Sequence, residues 1–219
     1  MKGIRTILWD WNGTLLNDTD ICVASINELL QERNLPTLSR EEYLQVFDFP
    51  VIKYYQSIGF DFRKEPFEIP AQRYIERYHA RLPESRLHSG AIAALTYFRK
   101  KNYQQLLLSA SEMKNLETAI AHFHLRDFFD DIAGLDNIFA HSKSEIGLSL
   151  LKKSNLDPSC VCLIGDTLHD REVADAIGCR CLLIGNGHQA YGRLIQNGAP
   201  VLRTLEEIVD YFENTSLCP

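Results

Sequence analysis

The sequence predicts an α/β fold, a parallel sheet with a small helical insert after its first strand. Short apolar runs alternate with amphipathic helical patterns, as they do where strands are joined by covering helices. The stretch from about Leu16 to Glu84 breaks that alternation, with helical stripes and no good strand. Polar residues suited to chemistry follow the apolar runs, where a parallel sheet places its ligands.

The apolar runs are Ile4–Trp9, Leu106–Leu108, a weaker one at Ile132–Ala133, Cys160–Ile164 and Cys181–Ile184, with Val201–Leu202 as a short edge strand. Between them, Ala91, Leu95 and Phe98 mark one helix, and Leu116, Ala119, Ile120 and Phe123 another. Val173, Ala176 and Ile177 mark a third, which Gly178 should stop. Leu205, Ile208, Val209 and Phe212 form the last stripe, with Thr204 as its N-cap. Within the insert, Val23, Ile26 and Leu30 form a stripe, Ser39 and Glu42 form a capping box, and several prolines punctuate the chain. The expected division is a core of residues 1–15 and 85–219 and a helical insert of residues 16–84.

The 219 residues are 45% hydrophobic, enough for a large core. A net charge of −6 argues against nucleic acid as the main partner, which needs clustered Lys and Arg, yet it permits a local site for a small anion. No apolar run reaches the roughly 18 residues of a membrane span, and no signal peptide is read at the N-terminus, so a cytoplasmic protein is expected. The cysteines fit a reducing compartment. Cys160 with Cys162, and Cys179 with Cys181, lack zinc-knuckle spacing and are read as buried thiols that cluster if their strands are neighbours.

The strand endings carry the chemistry. The first run ends in Asp10-Trp11-Asn12-Gly13-Thr14, the second in Ser109-Ala110-Ser111, and the fourth in Gly165-Asp166-Thr167-Leu168-His169-Asp170. A carboxylate at a strand tip can attack phosphorus and form an acyl phosphate. Phosphate oxygens repel that carboxylate, so positive charge is needed, and Mg²⁺ held by hard oxygens is the natural source. Asp10 and Asp166 would supply two ligands, the backbone carbonyl of Asn12 a third, and Asp170 a fourth, directly or through water. Ser109, with the adjacent Ala110, would bind the phosphoryl oxygens. Lys143 would neutralise charge on the nucleophile and the transferring group. His141 and His169 are read as loop histidines. Lys53, Tyr54, Arg63, Arg73 and Arg77 are read as a solvated face of the insert, and no chemistry is assigned to Gly185-Asn186-Gly187-His188.

These residues, in this order, resemble the haloacid dehalogenase superfamily, in its phosphoglycolate-phosphatase-like branch. Asp10 to Thr14 is similar to D-x-D-G-T except at Asn12. Ser109 resembles the second motif, Lys143 the third without the proline that often follows it, and Gly165-Asp166 with Asp170 the fourth, G-D-x-x-x-D. The resemblance implies a Rossmann-like core with a mobile helical cap between the first two motifs, Mg²⁺ as cofactor, and a small phosphorylated metabolite as substrate. It implies an aspartyl-phosphate intermediate on Asp10.

Asn12 departs from the pattern. Family phosphatases carry a second Asp there, which protonates the leaving alcohol and later helps deprotonate water. An amide does neither, although its backbone carbonyl can still hold metal. General acid–base help is worth roughly 10²- to 10⁴-fold, so slow turnover is expected. Three readings follow: another group replaces the acid, the leaving group needs none, or the protein is a slow enzyme or a phosphate-binding module. Deamidation of the Asn12-Gly13 dipeptide would restore the family residue. Hydrolysis of a small phosphomonoester is the leading expectation. Phosphoryl transfer to another hydroxyl, as in a mutase, and non-catalytic binding are the alternatives.

Overall fold

Thr6–Trp9 (β1) lies at the centre of the sheet and is buried at every position. The computed structural model describes residues 1, 3–135 and 142–216. The other strands of this sheet are Gln104–Glu112 (β4), Asp131–Leu135 (β5), Val161–Gly165 (β6), Arg180–Ile184 (β7) and Val201–Leu202 (β8). Their order is β5-β4-β1-β6-β7-β8, and every pairing is parallel. The chain runs outward from β1 to β4 and β5 on one side, and to β6, β7 and β8 on the other. The order therefore reverses at β1, and a crevice opens beyond the carboxyl ends of β1, β4 and β6.

Alternation along the strands builds two cores. Ile7, Trp9, Leu107, Ile164 and Leu182 face one side, beneath helices Ala91–Lys100 (α5), Met113–His122 (α6) and Ile208–Ser216 (α10). Leu8, Leu106, Leu108, Leu163 and Leu183 face the other, beneath Lys143–Lys153 (α7) and Leu168–Ile177 (α8). Gly178 ends α8 in the left-handed conformation at φ 84°.

Four details differ from the sequence pattern. Ala174, not Ala176, joins Val173 and Ile177 in the core of α8. Thr204 precedes the last helical segment without a side-chain capping bond. β4 does not end at Ser109 but continues to Glu112, with a register shift after Leu108. The cysteine strands are neighbours, yet Cys162 and Cys181 join cores on opposite faces of the sheet, so the thiols do not cluster.

Helices Thr19–Glu32 (α1), Arg40–Val46 (α2), Val51–Ser57 (α3) and Glu68–Arg81 (α4) form the insert, around Ile26, Leu29, Leu30, Tyr43, Tyr54 and Tyr55. The Ser39–Glu42 capping box opens α2 as expected. Arg73 and Arg77 of α4 pair with Glu28 and Glu32 of α1, and Arg63 pairs with Asp61. Those arginines serve the insert's own packing. Tyr54 is buried, and Lys53 is exposed.

A two-residue antiparallel ribbon, Leu16–Asn17 (β2) against Arg86–Leu87 (β3), closes the entry to and exit from the insert. The sequence shows no hint of it, because two residues carry no period. The far side of the insert is tied to the core by Arg193 and Gln189. Arg193 donates to the Phe47 carbonyl at 2.7 Å and to Asp48 at 2.9 Å, and Gln189 donates to the Phe47 carbonyl at 3.0 Å. Among the described residues, no helix is long and apolar enough to cross a membrane.

Arg193→Ala should therefore loosen the 43–49 segment first. The lost charged bonds are half-exposed and worth about 1 kcal/mol after screening, which predicts roughly fivefold faster amide exchange there. Exchange measured by mass spectrometry should leave β6 unchanged. Equal acceleration in β6 would show that these bonds support the whole fold.

Candidate active site

Asp10 leaves β1 with its amide donating to the Ile164 carbonyl at 2.9 Å, so the first residue past the strand is still held by the sheet. The chain then turns sharply. The amides of Leu15 and Leu16 both return to the Trp11 carbonyl, at 3.0 and 2.9 Å. Gly13 takes φ 76°, and a Cβ there would overlap the Asp166 carboxylate and the His188 ring. The backbone can approach these groups so closely only because position 13 is glycine.

The turn brings Asp10, Asp166 and Asp170 together, each offering an oxygen within 4.8 Å of the others and all buried. Lys143, the first residue of α7, reaches into this cluster. Ser142 caps that helix in a box with Glu145, which fixes where Lys143 starts. The Lys143 ammonium bridges Asp10 Oδ1 and Asp170 Oδ1, the latter at 2.6 Å. Only 6% of its surface is exposed, so it is no solvated surface lysine. The other Asp170 oxygen accepts from the amide and hydroxyl of Thr167, at 3.0 and 2.7 Å, as part of the α8 capping box. Asp170 thus caps a helix and positions Lys143 with one side chain. The Thr14 hydroxyl lies 3.1 Å from both Asp10 and Asp166.

Ser109 and Ser111 of β4 face this turn. The Ser111 hydroxyl donates to Asn12 Oδ1 at 2.8 Å, and Ser109 lies 3.5 Å from the same oxygen. Ala110 between them is exposed. His141 lies outside the described residues, and His169 stacks on Phe49 of the insert with ring centres 4.5 Å apart.

The electrostatics ask for a cation. Burial pushes the Asp10 carboxyl up, against the pull of Lys143 and with the push of Asp170. Burial also raises Asp166, opposed by His188 and reinforced by Asp10 and Asp170. Burial raises Asp170 too, but Lys143 and the hydrogen bonds from Thr167 together hold it below its usual range. The Asp10 and Asp166 carboxyls hold their protons more tightly than free ones, and a divalent ion beside them would favour the ionised forms. The carboxyl groups are hard oxygen donors of the kind Mg²⁺ takes, and their chemistry fits that ion. The Asn12 carbonyl lies on the same turn as Asp10.

Two residues without an assigned role stand at the site. The His188 amide donates to Asp166 at 2.6 Å, and its ring lies 3.1 Å from Asp18 and 3.2 Å from the Tyr43 hydroxyl. Asp18, at the start of α1, also accepts from Asn12, Gly13 and Tyr78. The signal for His188 was its glycine-rich setting at a strand's carboxyl end.

A family model for the haloacid dehalogenase-like hydrolases matches residues 7–184. The chain belongs to this family. Among haloacid dehalogenase-like proteins it is similar to phosphoglycolate phosphatase 1 of Pseudomonas aeruginosa, with 21% identity over 90% of this chain and 75% of that protein. A haloacid dehalogenase-like hydrolase from Streptococcus pneumoniae superposes with TM-score 0.76 at 21% identity, covering 97% of this chain and all of that one. CbbY from Rhodobacter sphaeroides, solved with phosphate, superposes with TM-score 0.71 at 20% identity, covering 94% and 96%. These structures share the fold described above, and the likeness to phosphoglycolate phosphatase 1 agrees with the branch the motifs resemble.

The His188–Asp18 pair predicts a pH signature. Burial lowers the affinity of His188 for a proton, but Asp18 prevails and raises its pKa from 6.5 to about 9. A raised folded-state pKa contributes stability that is complete below the unfolded value of about 6.5 and fades as pH climbs through about 9. The Tm difference between wild type and His188→Gln should therefore be several degrees near pH 6.5 and shrink by about pH 9.5. A gap that holds or widens would show that the ring is neutral in the folded protein.

Proposed function

We propose that this haloacid dehalogenase-like hydrolase is a Mg²⁺-dependent phosphatase acting on a small phosphomonoester through an aspartyl phosphate on Asp10. The observation that carries the reading is the buried Lys143 bridge between Asp10 and Asp170, with Asp166 beside it at the strand ends. Lys143 holds one Asp10 oxygen and leaves the other to attack in line. The new bond joins that oxygen to phosphorus as the bond to the leaving oxygen breaks, the leaving oxygen taking a proton from water. A water then attacks phosphorus, the bond to Asp10 breaks, and inorganic phosphate leaves. Lys143 and the Ser109 hydroxyl face the charge on the transferring group. Asp10, Asp166 and the Asn12 carbonyl, with Asp170 directly or through water, would hold Mg²⁺, and the bound ion would supply further shielding of that charge.

Helices α1–α4 act in this reading as a cap. A cavity of about 20 Å³ remains beside Asn12, between Trp11 and Ser111 of the core and Tyr78 and His79 of the insert. It has room for about one water, so in this reading a phosphorylated substrate enters only when the insert moves away from the core. The Asn12 amide points away from that reaction, toward Asp18 and Tyr78. With no titrating group at position 12, resolution of the adduct is slow, and that favours transfer to a second hydroxyl as the alternative reading.

The experiment is a screen of phosphorylated metabolites with Mg²⁺, comparing wild type with Asp10→Asn. Phosphate release from the best substrate should fall at least about 10³-fold in the variant and vanish with a chelator. Release that survives Asp10→Asn would reject the nucleophile. Phosphate appearing on an added alcohol in place of water would favour the transferase, and no turnover of any substrate would favour a binding protein.

A further inference from the structure

Position 12 carries an amide where the family pattern has a carboxylate, and the geometry gives a reason. The Asn12 amide nitrogen donates to Asp18 Oδ2 at 2.8 Å and lies 2.7 Å from the Tyr78 hydroxyl, which itself donates to the same oxygen at 2.7 Å. Asp18 is 1% exposed. A carboxylate at position 12 would face a second carboxylate across a hydrogen-bond distance, with no water to separate them. Like charges held so closely in a buried place are strongly disfavoured.

We propose that Asp18 is the positioning residue that dictates the amide at position 12, the two forming one polarity-matched pair. The inference concerns why Asn12 is present, and its structural part stands whether or not the phosphatase reading holds.

The partition of bonds on Asp18 makes the pair exchangeable. Its Oδ1 takes the donors that cannot turn around, the Gly13 amide at 3.0 Å and the His188 ring at 3.1 Å. Its Oδ2 takes the Asn12 amide, the Tyr78 hydroxyl and, weakly, the Cys22 thiol at 3.8 Å. A hydroxyl and a thiol rotate freely and accept as well as donate. An amide at position 18 therefore keeps its carbonyl oxygen toward Gly13 and His188 and turns its nitrogen toward position 12. A carboxylate at position 12 then accepts that nitrogen, and its other oxygen still accepts from Ser111, as the Asn12 carbonyl does at 2.8 Å. The two amide hydrogens serve position 12 and Tyr78, whose hydroxyl turns to donate to the new carboxylate, and the weak Cys22 contact alone has no counterpart.

The same geometry bears on deamidation. Conversion of Asn12 to aspartate would set the new carboxylate against Asp18 and destabilise the fold.

The test is a double-mutant cycle in thermal unfolding at neutral pH, using the full chain. Asn12→Asp alone should lower Tm by roughly 3–10 °C, the effect of a buried polar mismatch in a chain of this size. The same change made on top of Asp18→Asn should cost about 1 °C or less, or should stabilise. An equal loss in both backgrounds, or no loss in the wild-type background, overturns the proposal. If Asn12→Asp alone does not fold, a soluble Asn12→Asp/Asp18→Asn protein supports the pair, and an insoluble one overturns it.

A second arm measures phosphate release from glycerol 2-phosphate with Mg²⁺, and this arm rests on the proposed function. The exchanged protein should exceed Asn12→Asp at least about tenfold, since only there does the new carboxylate face an amide and not a second carboxylate. Coupled Tm values with no release from any variant would leave the pair standing and count against the phosphatase reading alone.

Discussion

The site depends on one buried ammonium. Lys143 stands between Asp10 and Asp170, and without it those two carboxylates would share a dry pocket with no ammonium between them. Removing one partner from such a cluster is costly, because the remaining charges cannot reach water. Asp10 and Asp166 still hold their protons more tightly than free carboxyls do. That crowding ties the fold to its chemistry, since the same carboxyls form a ready set of hard donors. The sheet makes the arrangement reproducible. Asp10 and Asp166 extend from adjacent strands paired in register, and the capping boxes of α7 and α8 set Lys143 and Asp170 at fixed places on their helices.

A second network surrounds the first and belongs partly to the insert. Asp18, His188, Tyr43 and Tyr78 come from the start of α1, the loop after β7, and helices α2 and α4. They meet against Asn12 and the amide of Gly13. Closure of the insert and the shape of the nucleophile turn are thereby parts of one hydrogen-bonded unit. A movement that carries Tyr43 and Tyr78 away must also release His188, whose amide holds Asp166. The insert can report its position to the carboxylate cluster through bonds already in place.

Much of this was legible in the sequence, because strand tips and helix starts are local features. The strand carrying Asp10, the glycine after Asn12, the serine on the second long strand and the Gly165-Asp166 ending all declare themselves by short spacing. Lys143 was legible only through its place in the order of motifs, and the structure shows it buried in the cluster. The rest was hidden because it is long-range. Asp18 looks like an ordinary residue at a helix start, and His188 like a loop histidine, until a contact spanning most of the chain joins them. The ribbon of β2 and β3 is too short to show a period, and the continuation of β4 past Ser109 depends on its pairing with β5. Arg73 and Arg77 gave no sign of their partners, since Glu28 and Glu32 lie on another helix.

The account is most exposed at the carboxylate of Asp10. During turnover of a substrate with Mg²⁺, rapid acid quench followed by borohydride reduction converts an aspartyl phosphate to homoserine, which peptide mass mapping can locate. Homoserine at position 10, and absent from protein quenched without substrate, is the result predicted here. Steady turnover with position 10 unmodified, or reduction at another carboxylate, would contradict it.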